Sequence, residues 1–496
     1  MIMIHKIFSK LEKGASLLSL MFVASLSSFI ASGAEFYVDS RAEPGGTGTQ
    51  ASPFVTIRAA FDLAGEGDTI LVRGGADRSY TVASGDDLVV VPASNMTLCS
   101  YGGEGDAMVE ISATLSAVTN NASVILVPTN ATYFTMSGFD VTYYGDGGDK
   151  KAASSLGHQG RVVEVLGNNA TIEDCTFRQV GDYSTKLVQN YSNDTMGQLA
   201  VGTCAKEHTK VGYDFTVRRC RFLGESNDRS MVATRQGMSS VFSENVFSNC
   251  FIFTAPVKNG STTVLFSSNV FYRCNSFRSY WSYSEFQAAE FAYNIFFSEA
   301  ERSESFINKN GQHSGGAGGL NGDKVFIHHN TLVNAAHLAC IGNSGNINWQ
   351  PQFFDNLIVL DPTLNAADAT VFWNEQEAFK SGNFSSFKTG GRGCLKNNAW
   401  YAPGGISGGD ATTLPDYDLS AGCLITNNIV LDACPTFMSM DLSSPNFMRP
   451  RASRNKSWAI RGVAWTNAVS GCKTGLCDFI GAVEPLTSSP LIIHLR

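Results

Sequence analysis

Between Val241 and Pro362 the chain alternates apolar and polar positions in one short phrase that occurs five times. It reads Val241-Phe-Ser-Glu-Asn245-Val-Phe247, then Val264-Leu-Phe-Ser-Ser-Asn269-Val-Phe271, Phe291-Ala-Tyr-Asn294-Ile-Phe296, Val325-Phe-Ile-His-His-Asn330-Thr-Leu332 and Phe353-Phe-Asp-Asn356-Leu-Ile358. The asparagines step by 24, 25, 36 and 26 residues. Alternation is the period of a strand, and these segments are short, rich in Val, Ile and Phe, and separated by Gly, Asn and Ser. No amphipathic helical pattern competes. A repeat of this length, built from short strands and bends, predicts one coil of a stacked solenoid. The Asn is placed at a bend, because Asn tolerates the left-handed conformation and bonds nearby backbone. Stacking then sets the amides one above another as a ladder. The Phe, Val, Ile or Leu after each Asn faces the interior.

This pattern resembles the right-handed parallel β-helix of the pectate-lyase-like superfamily. The resemblance covers most of the chain after its leader, and it implies an all-β, single-stranded parallel β-helix. Residues 1–34 read as a secretory signal. His5, Lys6, Lys10 and Lys13 form a basic start, Ala15 to Ile30 an apolar run, and Ser32-Gly-Ala34 a small-residue cleavage site. The competing reading is a membrane anchor, for which the run is short and broken by serines. No later stretch is apolar enough to span a bilayer. A secreted, periplasmic or cell-surface location is therefore expected.

Residues 35–496 are read as one elongated domain. Phe36-Tyr-Val-Asp39 opens it as a strand, and Ile57, Ala60, Phe61 and Ala64 lie on one face of a short helix expected to cap the stack. This entry segment resembles that of extracellular β-helix proteins. Further coils align at Phe134 to Val141, Ala170 to Phe177 and Phe215 to Phe222, with Cys175 and Cys220 in the ladder position. Others follow at Cys394 to Trp400 and Cys423 to Val430. Side-loop insertions are expected near 182–214, 299–324 and 363–394. The tail from Ser444 to Ala482 looks like a closing segment.

Charge and cysteine content narrow the class. The net charge of −8 becomes −10 once the leader, with three Lys and one Glu, is removed. An acidic surface argues against nucleic acid as a partner. Twelve cysteines in an exported chain permit disulfides. Most occupy interior positions of the repeat and read as buried thiols. Cys250 and Cys274 are expected to be neighbours in adjacent coils, and Cys472 and Cys477 are the best disulfide candidates.

Candidate chemistry is sought by counting back from the ladder residue. Ten to twelve places before it stand Glu164, then His208, Thr209 and Lys210, then Arg235, Lys258 and Tyr283. In common register these form a charged column on one lateral face. The alternative is an ordinary solvated face. Elimination across a uronate-containing polysaccharide needs a base, a cation on the carboxylate and an acid for the leaving oxygen. Lys258 suits the base because an amine can lose its proton. Arg235 suits the carboxylate clamp, and Tyr283 the acid. Lys210 or His208 would bind a neighbouring sugar acid, and Arg278 and Trp281 lie in an aromatic run suited to sugar contact. Asp228 and Glu164 are the candidate ligands of a bound Ca²⁺.

The constellation is similar to the chondroitinase B and alginate lyase family. There a Lys and an Arg sit in successive coils about ten residues before a ladder Asn, with acidic calcium ligands upstream. Arg235 and Lys258 stand at those places with the types exchanged. Asp228 matches one acidic position, Ser230 occupies the other, and Phe253 to Gly260 replaces the family's Leu-Thr-Leu-Arg-His-Gly stretch. Two other functions stay open. Asp140, Glu164, Glu173 and Asp174 supply acids for a glycoside hydrolase, although His158 is followed by Gln159 and the polygalacturonase signature is missing. A non-catalytic carbohydrate-binding or adhesive solenoid would use Tyr280, Trp281, Tyr283, Phe372 and Trp373. His328 and His329 are adjacent on a strand, so at most one is expected to point outward, which makes a poor metal site.

Overall fold

The structure is a computed structural model that describes residues 33–82, 87–102, 107–111, 123–144, 161–180, 199–201, 214–224, 230–235, 240–255, 262–279, 285–299, 306, 308–309, 321–322, 325–335, 337–340, 351–361, 370–373, 394–403, 424–435, 437, 439–442, 444, 447, 464–465 and 475–476. Nearly all the described elements are parallel strands. They fall into three long sheets of 14, 12 and 8 strands, each visited once per coil. In one coil Ser240–Ser243 lies in the fourteen-stranded sheet, Val246–Ser248 in the twelve-stranded sheet and Phe251–Ala255 in the eight-stranded sheet. The next coil begins at Thr262–Ser267, in register with the first: Phe242 pairs with Phe266 and Ser243 with Ser267. The molecule is a parallel β-helix, as the repeat predicts.

Each repeated phrase spans the bend from the fourteen-stranded to the twelve-stranded sheet. The left-handed residue of that bend is the one before the Asn, not the Asn itself. Glu244, Ser268, Tyr293, His329, Asp355, Asn397 and Asn427 have φ of 53° to 59°. A non-glycine residue there costs roughly 1–2 kcal/mol. The Asn that follows is freed to serve as the ladder. Each ladder oxygen accepts from the backbone N–H and the Nδ2 of the Asn one coil earlier, at 2.9 to 3.0 Å from Asn245 to Asn428. Each Nδ2 also donates to a strand carbonyl of the earlier coil, as Asn269 does to Phe242 at 3.0 Å. Cys220 stands in this column as expected, its N–H donating to the Asn245 oxygen at 2.9 Å.

The interior is stacked in the same way. Phe177, Phe222, Phe247 and Phe271 form a file with ring centroids 5.2, 5.0 and 5.1 Å apart. Phe242, Phe266 and Phe291 form a second file at 4.7 and 5.2 Å. Such pairs add about 0.5–1.5 kcal/mol each beyond the area they bury. Phe306 sets its edge against Phe271, Phe291 and Phe296.

At the start of the stack the predicted helix forms over Ile57–Phe61, with the Thr56 hydroxyl accepting from the Ala59 N–H at 3.2 Å. Ala60 and Phe61 are buried, and the helix packs on Glu35–Val38, Thr69–Arg73 and Val89–Val90. Near the other end Phe447, with Leu431, Phe437 and Leu442, covers the outer side of the twelve-stranded sheet over Ile295, Val333, Leu357, Val359 and Ala399. Parts of the three expected insertions are strands. Leu199–Val201 and Asn308–Lys309 lie in the eight-stranded sheet, Asn321–Gly322 pairs with the strand Glu285–Ala292, and Thr370–Trp373 pairs with His337–Cys340. The leader to Ser32, and Cys472 and Cys477, lie outside the described residues. Among the described residues no helix is long and apolar enough to cross a membrane. Cys99, Cys175, Cys220, Cys250, Cys274 and Cys434 are free thiols. Burial, and then a hydrogen bond with Cys274, push the Cys250 thiol up.

Candidate functional site

The eight-stranded sheet carries the backbone of three predicted site residues. Glu164 is in register with Leu126 and Ala200, and the same column continues through Ala233 and Phe253 to Arg278 and Asn308. Arg235 lies two positions further along its strand and pairs with Ala255. The predicted column therefore does not form by counting from the ladder. Arg235 faces Ala255 across the ladder, three residues short of Lys258. The reason is the unequal length of the connections that lead on to the fourteen-stranded sheet: Arg235 stands five residues before Ser240, whereas its partner Ala255 stands nine before Val264, the partner of Ser240. The strands of Arg235 and Arg278 are two steps apart, which is about 10 Å. His208, Lys210, Asp228, Lys258, Trp281 and Tyr283 lie outside the described residues.

Glu164 is buried, between the interior residues Val163 and Val165. Its column neighbours Leu126 and Ala200 bring no side-chain oxygen. Ca²⁺ takes six to eight oxygen ligands, and neither of these two neighbours supplies one from its side chain; Asp228, the other candidate ligand, lies outside the described residues. Among the described residues no group of three or more His, Cys, Asp or Glu side chains can hold a metal ion. No chemical step is routed through calcium below.

The four acids considered for hydrolysis do not share a face. Glu164 belongs to the eight-stranded sheet, Asp140 to the twelve-stranded, and Glu173 to the fourteen-stranded, with Asp174 in the bend after it. Arg178 grips Asp140 with two bonds of 2.9 Å. Arg219 binds Asp174 at 2.7 and 2.8 Å and Glu173 at 2.7 Å, and Arg218 binds Glu173 at 2.6 Å. The Arg219 hydrogen bond holds the Asp174 carboxyl below the usual carboxylate range. A general acid needs the opposite shift.

The sequence reading missed a buried polar cluster on the outer side of the fourteen-stranded sheet. His328 and His329 do not straddle their strand. His329 has φ 53°, which breaks the alternation and turns its ring onto its neighbour. The two Nδ1 atoms are 2.8 Å apart, and His328 Nε2 is 3.0 Å from Glu290 Oε1. His329 Nε2 lies 3.7 Å from Asp355 Oδ2. All four side chains are 0% exposed. Phe354 stacks on His328 at 4.8 Å and Tyr293 on His329 at 5.1 Å. Burial holds the His328 imidazole well below its ordinary value, helped by His329, and brings His329 to about 4. The signal was legible by aligning the residue before each ladder Asn, where His329 and Asp355 are successive members.

No protein-family model matches the sequence, and no curated protein does. Solved structures do resemble this fold. Pectate lyase Pel9A aligns with a TM-score of 0.50 at 14% identity, over 93% of this chain and 98% of that one. A rhamnogalacturonan lyase gives 0.37 at 13%, over 74% and 87%, and the PL6 family polysaccharide lyase Pedsa3628 from Pseudopedobacter saltans 0.34 at 9%, over 75% and 90%. The chain thus resembles the pectate-lyase-like parallel β-helices, and at these identities the likeness concerns the fold.

Proposed function

We propose that this is an exported polysaccharide-processing enzyme, a lyase that cleaves a uronate-containing polymer by β-elimination. The observation that carries the reading is the end-to-end correspondence of this β-helix with a pectate lyase, over 93% of this chain and 98% of that one. The eight-stranded sheet supports the location, because Arg235 and Arg278 occupy strands two coils apart on it. Arginine is the residue type suited to gripping the carboxylates of an acidic chain. Placement of the four acids on three sheets tells against paired-carboxylate hydrolysis.

In this reading Arg235 binds the carboxylate of the sugar to be cleaved and so acidifies the neighbouring C–H. The Lys258 amine takes that proton. The freed electron pair forms the new carbon–carbon double bond, the bond to the glycosidic oxygen breaks, and the Tyr283 hydroxyl protonates the leaving oxygen. Lys210 or His208, with Arg278 and Trp281, holds the flanking sugars.

The test is an ultraviolet assay for unsaturated uronate ends on alginate, pectate, chondroitin sulfate and dermatan sulfate, with calcium and then with chelator. A rise on one polymer, lost by at least about a hundredfold in Lys258→Ala, is the expected result. Release of reducing ends without unsaturation, or full activity of the variant, overturns the mechanism. Loss of the signal with chelator would add a metal held by residues such as Asp228.

A further inference from the structure

We propose that Glu290, His328, His329 and Asp355 form an acid-sensitive clasp across three successive coils, which stays closed with one imidazole charged and opens when both are. The four side chains join the strands Glu285–Ala292, Val325–His328 and Pro351–Phe354, Asp355 following the last of these. They run as a single line. Glu290 meets His328 at 3.0 Å, His328 meets His329 at 2.8 Å, and His329 faces Asp355 at 3.7 Å.

The centre of the line is a contact between two ring nitrogens, and it holds one hydrogen. One Nδ1 donates and the other must be bare. With Glu290 ionised, His328 carries its hydrogen on Nε2 and His329 on Nδ1, which leaves His329 Nε2 toward the Asp355 carboxylate. A first added proton settles there and is stabilised by that carboxylate. A second proton taken by the imidazoles, rather than by the Glu290 or Asp355 carboxylate, can enter only the ring-to-ring contact, where two N–H groups would point at each other across 2.8 Å. One ring must then turn away, and the tie between coils is cut.

The described groups around the pair are few. From the strand of Glu290 and its bend come Glu290 and Tyr293; from the next strand but one, Phe354 and Asp355. Lys396, in register with Phe354, accepts the Asp355 N–H at its backbone oxygen at 3.2 Å. Beside the clasp run Asn294, Asn330 and Asn356, linked at 2.9 to 3.0 Å by amides that do not titrate. Acid therefore loosens the outer tie and leaves the ladder closed. The clasp belongs to the fourteen-stranded sheet, apart from the lateral face of the proposed lyase, and its test does not depend on activity.

The experiment follows histidine nitrogen shifts and backbone hydrogen exchange of the full chain together, from pH 7 to about pH 3. His328→Gln and His329→Gln assign the signals. One ring should charge with no change in exchange at Glu290, His328 and Asp355. Charging of the second should coincide with roughly tenfold faster exchange at those amides, after correction for the intrinsic rate, while Asn294, Asn330 and Asn356 stay protected. In His329→Gln the second step should vanish. Two charged imidazoles with unchanged protection, or a step that persists in both variants, overturns the proposal. Ladder protection at neutral pH shows that each variant is folded, and the titration of the unaltered chain decides the matter if one is not.

Discussion

Asn294 makes the clearest case for what one side chain does here. Its oxygen accepts the N–H and Nδ2 of Asn269 at 3.0 Å each, and its own Nδ2 reaches Phe266 O and Asn330 Oδ1 at 3.0 Å. Asn294→Ala leaves a buried N–H of Asn269 without its acceptor, and should lower unfolding stability by about 3 kcal/mol in a urea titration. The reverse change is available at Cys220, whose sulfur sits 3.6 Å from Ile172 O, where a ladder Nδ2 would donate. Cys220→Asn should extend the column by one member and raise unfolding stability by about 1 kcal/mol, read as a higher urea midpoint. His329 sets a pH dependence. Its folded value of about 4 lies below the unfolded 6.5, so the unfolded chain binds the proton more readily. The stability it contributes is complete above about pH 6.5 and is lost as the pH falls through about 4, a loss of about 3 kcal/mol. Denaturant midpoints measured across that window should fall, and His329→Gln should flatten the slope.

Strands and bends show which parts of the molecule could be read beforehand. The phrase around each Asn identified the coil, the ladder and the substitution by Cys220, because a period of two marks strands and a longer period marks their stacking. The left-handed residue was misplaced by one, since Asn favours that conformation intrinsically and here gives it up to bond its neighbours. His329 was misoriented for the same reason: a bend suspends the in-and-out rule of a strand. On the lateral sheet, counting from the ladder failed at Arg235, because the connection to the fourteen-stranded sheet differs in length from coil to coil: five residues from Arg235 to Ser240, nine from its partner Ala255 to Val264. Files of rings behave as elements too. Phe247 lies between Phe222 and Phe271 at 5.0 and 5.1 Å, nearly parallel to both. Phe247→Ala should cost about 3–5 kcal/mol, visible as a lower thermal midpoint.

Among the described strands the molecule is a column in which each coil pairs with its neighbours. Thirteen strands follow one another along the main path of the largest sheet, which gives a length of roughly 60 Å. Stability in such an array is close to a sum of coil terms and interface terms, and the interfaces here are not alike. Phe139, Cys175 and Cys220 occupy the ladder position in the early coils, and among the described residues the amide column runs from Asn245 to Asn428. Pulled from its two ends, the column would not yield evenly. The coils before Asn245 are the slack end of the tether and peel away at low force, whereas those beyond it resist as a block until the first amide link gives.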